Sequence, residues 1–390
     1  MKCVILGAGK IARGFIGHLL QLSGIEFCFV EKSDALCDML NARGRYTIHI
    51  LGCPEKDCVI EGKRALKYSE KDAVTAAISE ADAIFTAVGG KNLGGIIGIL
   101  KAGIEHRAAD GKRLNIVTCE NWKKPADIIR DELTKAVSAE AQDYLREKVG
   151  ITEAVIMRSA IEPDAEAVAK DPVCVNVQDF WDLPVDKSRV VGDMPPIQGL
   201  RLMDEFGGFL ERKFYTYNAA NGTVSFVGGL LGHRILSDAA HDERILPILE
   251  GVYRETAQAL SKKHAFPLDE QLEFTRSSKK KLQDRAIVDY IERNARDPMR
   301  KLGPDDRLIG SARLVMEYGI KPENLAIAAA AAIHYDSPGD ESAEELRRML
   351  TEEGVDAVLE KVCKLDPQGE LAMLIKEKEQ LLKEWGWINE

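Results

Sequence analysis

In the segment KFYTYNAANG (Lys213–Gly222) a lysine is followed by two asparagines, Asn218 and Asn221, among aromatic and small residues. The flanks read as helical, although asparagine is a mediocre helix former. On a helix of 3.6 residues per turn, Asn221 lies about 80° and Asn218 about 140° around from Lys213, so the three can share a face. Their chemistry is specific. Loss of hydride from a secondary alcohol leaves a proton to remove and an alkoxide to stabilise. A lysine with a pKa depressed by burial takes the proton near neutral pH, and amide N–H groups donate to the developing oxyanion. The bland alternative is a solvated lysine beside a surface turn.

Such chemistry needs a hydride acceptor, and the first half of the chain is written to hold one. The run Cys3–Leu6 suits a strand buried on both faces. Gly7, Gly9 and Ala12 then match G-x-G-x-x-G/A, and Ile11, Phe15, Leu19 and Leu22 follow at helical spacing. A second strand ends at Glu31, about 20 residues past the glycines, where a carboxylate accepts hydrogen bonds from an adenosine ribose. That charge opposes a 2'-phosphate, so NAD is expected over NADP, with Lys32 as a weakening neighbour. Two further strands end in Val88, Gly89 and Gly90 and in Cys119, Glu120 and Asn121. Ligands of open parallel sheets bind beyond such carboxyl ends. Asn121 is therefore expected near a nicotinamide, or else as the cap of a helix starting near Pro125.

Alternation fades towards the Pro-, Gly- and Asp-rich stretch Trp181–Gly199, and helices dominate from about Leu200. The expected architecture is an α/β Rossmann-type dinucleotide-binding domain over 1–190 and a mainly α-helical substrate domain over 191–390. Ser342 with Glu345 reads as a capping box, and Asp366 as the cap of the last helix. The lysines of RSSKKKLQDR (Arg276–Arg285) read as a solvated helix face. A formal net charge of −10 disfavours nucleic acid and anionic membranes as partners. There is no signal-peptide pattern and no long apolar run, so a cytoplasmic protein is expected. The eight cysteines, scattered through apolar segments, are expected as reduced thiols, and no spacing spells a metal site.

The segments GAGKIARGFIG, LNAR, TAVG, LNIVTCEN, FLERKFYTYN, LLGHRILSDA, RKLGPDDRLI, MEYG and AAAAAIHYD together resemble the polyol-specific long-chain dehydrogenases, the mannitol dehydrogenase family. Within it they are most similar to the mannitol-1-phosphate 5-dehydrogenase branch. The resemblance spans nearly the whole chain. It implies NAD(P) dependence without metal, a polyol, polyol phosphate or ketose substrate, and a monomer or homodimer. It places Lys213 as general base, Asn218 as oxyanion donor and Asn121 beside them. It also nominates His233 and His334 for substrate contact, while Arg158 and Arg307, with their bidentate guanidinium forks, are the candidates for a substrate phosphate or carboxylate. Three positions depart from the family pattern: Asn221 replaces a histidine, Met157 an aspartate, and Leu308–Ser311 lacks an expected lysine near Gly310. The reading is a metal-independent dehydrogenase of polyols or polyol phosphates; a nucleotide-binding redox sensor and a reductase of keto-sugar acids are the alternatives.

Overall fold

The computed structural model describes residues 1–388 and divides into two compact units, Met1–Phe206 and the chain from Gly207 onward. In the first unit the strands are β1 (Lys2–Leu6), β2 (Glu26–Glu31), β3 (Arg45–Ile50), β4 (Cys58–Glu61), β5 (Ala65–Lys67), β6 (Ala83–Thr86), β7 (Leu114–Thr118), β8 (Val149–Glu153), β9 (Ala160–Ile161), β10 (Val175–Val177), β11 (Leu183–Asp186) and β12 (Leu200–Met203). Six form a parallel sheet in the order β5-β2-β1-β6-β7-β8. This is the doubly wound order, and its direction reverses between β1 and β6, where such folds bind nucleotides.

The apolar run of β1 serves both faces of the sheet. Cys3 and Ile5 join one core, and Val4 and Leu6 join the other. The first core also contains Phe15 and Leu19 from the helix after the glycine turn. A second sheet, β4-β3-β10-β9, contributes Tyr46, Ile48, Val175 and Val177 to it. On the opposite face the helices Lys71–Glu80, Ile97–Ala108 and Pro125–Ala136 contribute Ile78, Leu100, Ile104, Ile129 and Leu133. The units divide at 206/207, later than the expected 190/191. The reason is that β11 pairs in parallel with β12, which keeps the Pro- and Gly-rich segment within the first unit.

The described elements of the second unit are helices. Its centre is the helix Glu323–Ile333, buried continuously from Leu325 to Ile333, as an all-apolar helix must be. Its first turn is fastened by the buried carboxylate of Glu255, which accepts from Asn324 N (2.7 Å), Asn324 Nδ2 (2.7 Å) and Leu325 N (3.1 Å). Asp340 rather than Ser342 caps the helix Glu341–Glu353, because the Asp340 side chain accepts from Ser342 N at the chain's entry to the helix. Asp366 closes a turn on Gln368 N, and the last helix starts later, at Glu370 behind Gly369. All eight cysteines are free thiols. Among the described residues, no helix is long and apolar enough to cross a membrane.

Candidate active site

The cofactor side is built on backbone geometry. Gly7 has φ +96°, and a Cβ there would lie 2.5 Å from the Ala87 carbonyl oxygen, so only glycine fits. A Cβ on Gly9 would meet nothing within 4 Å, which leaves the turn open to approach. Ala12 is fully buried and starts a π-helical turn (Ala12–Ile16), closed by Gly17 N–H on the Ala12 carbonyl. The Glu31 carboxylate accepts from Ala8 N (2.6 Å) and Ser33 N (2.8 Å), tying the end of β2 to the glycine turn. A carboxylate offers about four lone-pair sites, so ribose hydroxyls can still be received.

Sequence reasoning missed the residue that organises the next strand ends. Glu120 is buried and accepts from Thr86 Oγ1 (3.1 Å), Val88 N (2.9 Å) and Gly89 N (2.9 Å). It thereby fixes Val88 and Gly89 beside the switch point. The signal was present: an acid at a buried strand end, facing a glycine pair. Its neighbour Asn121 is exposed beyond the carboxyl end of β7. It does not cap the following helix, whose cap position is Lys124 in left-handed conformation without a side-chain bond. That leaves the Asn121 amide free of the structural duty weighed for it.

Arg158 is placed differently from the expectation of a substrate clamp. It is only 2% exposed, and its guanidinium donates to the carbonyls of Gln178 (2.8 Å) and Gly14 (2.8 Å) and lies 4.3 Å from the Trp181 ring centroid. A core arginine bonded to backbone oxygens acts as a strut inside the first unit. Burial, with Arg158 beside it, pushes the neighbouring His18 imidazole down to about 4. Met157 is buried next to it in sequence.

In the second unit the lysine–asparagine segment is not a plain α-helix. The helix Phe206–Lys213 passes into a π-helical turn, Phe214–Asn218, and then into the helix Ala219–Leu230. Ala219 N–H reaches back five residues to the Phe214 carbonyl. The wider turn brings residues five apart, Lys213 and Asn218, nearer one another in angle than the expected 140°, and such turns recur at functional sites.

Lys213 is half-buried, and its amine is pushed down to about 8, first by burial and then by the Arg307 guanidinium. Arg307 is packed onto the same helix: its Cδ lies 3.2 Å from where a Gly222 Cβ would be, and its guanidinium is 5.7 Å from the Phe214 ring centroid. Its Nε donates to Asp306 Oδ1 at 2.8 Å.

Two further lysines have lowered pKa values. Lys281 is pushed down to about 8 by burial and then by Lys213, with Asp289 opposing. Buried Lys301 is pushed down to about 7 by burial and then by Arg307 and Arg300. Its ammonium donates to the carbonyls of Asn294 and Arg296. The stretch read as a solvated face thus divides: Lys279 pairs with Glu250, whereas Lys281 lies 6.0 Å from the Tyr217 ring centroid in the π-turn.

Asn221, at the family's histidine position, donates to Asn294 Oδ1 at 3.1 Å. Gly310 explains the missing lysine. A Cβ there would lie 2.9 Å from the Asp305 carbonyl carbon and 3.0 Å from the Tyr215 hydroxyl, so π-turn packing excludes a side chain. The two histidines are engaged with acids. His233 Nε2 contacts Asp242 Oδ2 (2.7 Å), and His334 Nε2 contacts Glu379 Oε1 (2.9 Å). The structure therefore carries Lys213, Asn218 and Asn221 on one helical segment, with Arg307 packed onto it from the loop before the helix Ile309–Glu317, while both imidazoles are taken up in carboxylate pairs. Asn121, Arg158 and the glycine turn belong to the first unit.

Residues 1–199 match the family described as the mannitol dehydrogenase Rossmann domain, and residues 206–382 match the mannitol dehydrogenase C-terminal domain. Among solved structures, a D-sorbitol dehydrogenase in substrate-free form aligns with TM-score 0.83 and 16% identity, covering 99% of this chain and 93% of its own. Mannitol 2-dehydrogenase of Pseudomonas fluorescens, solved with NAD and D-mannitol, aligns with TM-score 0.74 and 15% identity over 99% of this chain and 92% of its own. At these identities the likeness speaks to the fold.

Proposed function

The chain belongs to the mannitol dehydrogenase family, and from that premise we propose that it is an NAD-dependent dehydrogenase interconverting a secondary alcohol of a polyol or polyol phosphate and its ketose. The observation that carries this reading is Lys213, half-buried beside Arg307 on a π-turn, with its pKa lowered to about 8. Lys213 takes the hydroxyl proton, and the Asn218 amide donates to the oxygen as charge develops. NAD, when bound, supplies the hydride acceptor. The glycine turn, Glu31 and the loop held by Glu120 fit such a dinucleotide: the backbone is open at Gly9, and a carboxylate stands at the ribose position.

We infer a phosphorylated polyol ahead of a free one. Lys213, Lys281 and Arg307 are cations of one unit: after burial, the largest cause, Arg307 lowers the Lys213 amine and Lys213 lowers the Lys281 amine. An anionic substrate group would relieve that repulsion. Support for the free polyol comes from the D-sorbitol and mannitol 2-dehydrogenase neighbours. The role proposed for Asn121 near the nicotinamide rests on its exposed place beyond β7 and on the family resemblance.

The pH dependence tests the reading. A base must be neutral to act, so NAD-linked oxidation rises with pH through a limb near 8, the value to which Lys213 is lowered. Ketose reduction, which needs the protonated amine, falls through the same limb. An oxidation rate that is flat across that range, with chemistry rate-limiting, overturns the assignment of Lys213.

On the cofactor side, Glu120→Ala strips a buried acceptor from two backbone N–H groups and one hydroxyl. Each unsatisfied buried donor costs about 1–3 kcal/mol. Fluorescence titration is expected to show NADH binding weakened roughly tenfold or more, and unchanged affinity would remove Glu120 from the site.

A further inference from the structure

Several buried helical hydroxyls in this unit bond back within their own helix, whereas Thr216 and Ser278 accept from distant side chains. Thr223, Ser225, Thr256 and Thr275 are buried, and each donates to the carbonyl four residues earlier at 2.6–2.9 Å. That is the ordinary local bond of a hydroxyl inside a helix. Thr216, in the middle of the π-turn and fully buried, instead accepts from Gln271 Nε2 at 3.0 Å. The other end of the same amide, Gln271 Oε1, accepts from Arg212 Nε at 2.6 Å.

Arg212 is itself immobilised. It donates to the Glu270 carboxylate (2.8 Å) and carbonyl (2.9 Å), and its guanidinium lies 4.4 Å from the Phe274 and 4.8 Å from the Phe266 ring centroids. Gln271 is fully buried, so both of its polar ends must be satisfied, one by Arg212 from the helix before the turn and one by Thr216 within it. Arg212 immediately precedes Lys213, and Thr216 follows it by three residues. The amide therefore joins side chains on both sides of Lys213.

We propose that Gln271 is a positioning residue for Lys213: by joining Arg212 to Thr216 it holds the Phe214–Asn218 turn in its widened form and so sets the Lys213 amine relative to the Asn218 amide. This rests on the reading of Lys213 as base. Besides burial, the charged group that acts on that amine is Arg307, from the loop before the helix Ile309–Glu317; Lys213 in turn lowers Lys281, on the helix that carries Gln271. Glu211, on the lysine's own helix, is engaged by Lys263 and His264. Without the clamp the turn is free to tighten, the lysine swings towards solvent, and proton transfer loses its alignment.

The test uses Gln271→Leu and Thr216→Val in the full chain. The pH dependence with which fluorodinitrobenzene labels Lys213 is read by peptide mass spectrometry, alongside kcat/KM and Tm. Both variants are expected to move the Lys213 labelling limb up by about half a pH unit or more, towards the ordinary lysine value. Both lower kcat/KM roughly tenfold, while Lys279 labels as before. A lower Tm with the Lys213 limb and the kcat/KM of the folded fraction unchanged overturns the proposal, since that is all a structural role would produce. If Q271L does not fold, T216V, which preserves shape and removes only the acceptor, carries the same comparison. A wild-type rate in Lys213→Met would defeat the base assignment separately, because the labelling limb is read without substrate.

Discussion

Lys213→Met is expected to lower kcat for polyol oxidation by about 10²–10⁴-fold, the range a positioned general base contributes, and to leave NADH affinity unchanged. The proposed cofactor groups are on other residues: the glycine turn after β1, Glu31, and the Val88–Gly89 loop held by Glu120. Methionine keeps most of the lysine stem and removes the charge. The fold should not suffer. The Lys213 pKa is lowered on folding from its ordinary value of about 10.4 to about 8. The unfolded chain therefore holds the extra proton between those two values, and stability rises with pH across that window. Below the folded value the full penalty of a half-buried ammonium is present. At pH 7 the Tm of the variant should equal or exceed that of the wild type, which separates lost chemistry from lost folding. Steady-state kinetics, NADH fluorescence and a melting curve check the three parts.

Asn218→Ala has the next largest expected effect, a loss of about 10²–10³ in kcat, the measured scale for one oxyanion donor. The residue closes the π-turn and is followed at once by the buried Ala219 and Ala220, so truncation changes little of the core. Because the amide assists charge development rather than proton removal, the pH limb near 8 should stay in place while the plateau falls. A plateau within a few-fold of wild type would assign the oxyanion to another donor.

The cofactor half was largely legible because its constraints are local. Gly7 needs a positive φ, β1 needs an apolar run with two buried faces, and Glu31 must end the next strand; each is visible in residue type and spacing. The active segment was legible in composition and not in shape. Lys213 and Asn218 could be nominated from chemistry, but a helix widened by one residue has no residue spacing of its own, and here the turn is bonded to a distant partner. That partner, Gln271, is more than fifty residues away. The same limit hid Lys281: three consecutive lysines look alike until packing sets Lys279 on Glu250 and Lys281 against Tyr217. Arg158 shows the converse error, since a guanidinium suited to anions is also suited to backbone carbonyls in a core. The departure near Gly310 was visible as an absence, and only the Tyr215 hydroxyl and the Asp305 backbone give it a cause.

The proposed redox reaction between NAD and a polyol is tested most directly by NADH consumption with the purified protein over a panel of ketoses, ketose phosphates and keto-uronates. Stoichiometric NADH oxidation is expected with at least one ketose or ketose phosphate, fastest with a phosphorylated one, and is expected to be lost in Lys213→Met. Tight NADH binding with no oxidation across the whole panel would contradict it and leave a nucleotide-binding protein without this chemistry.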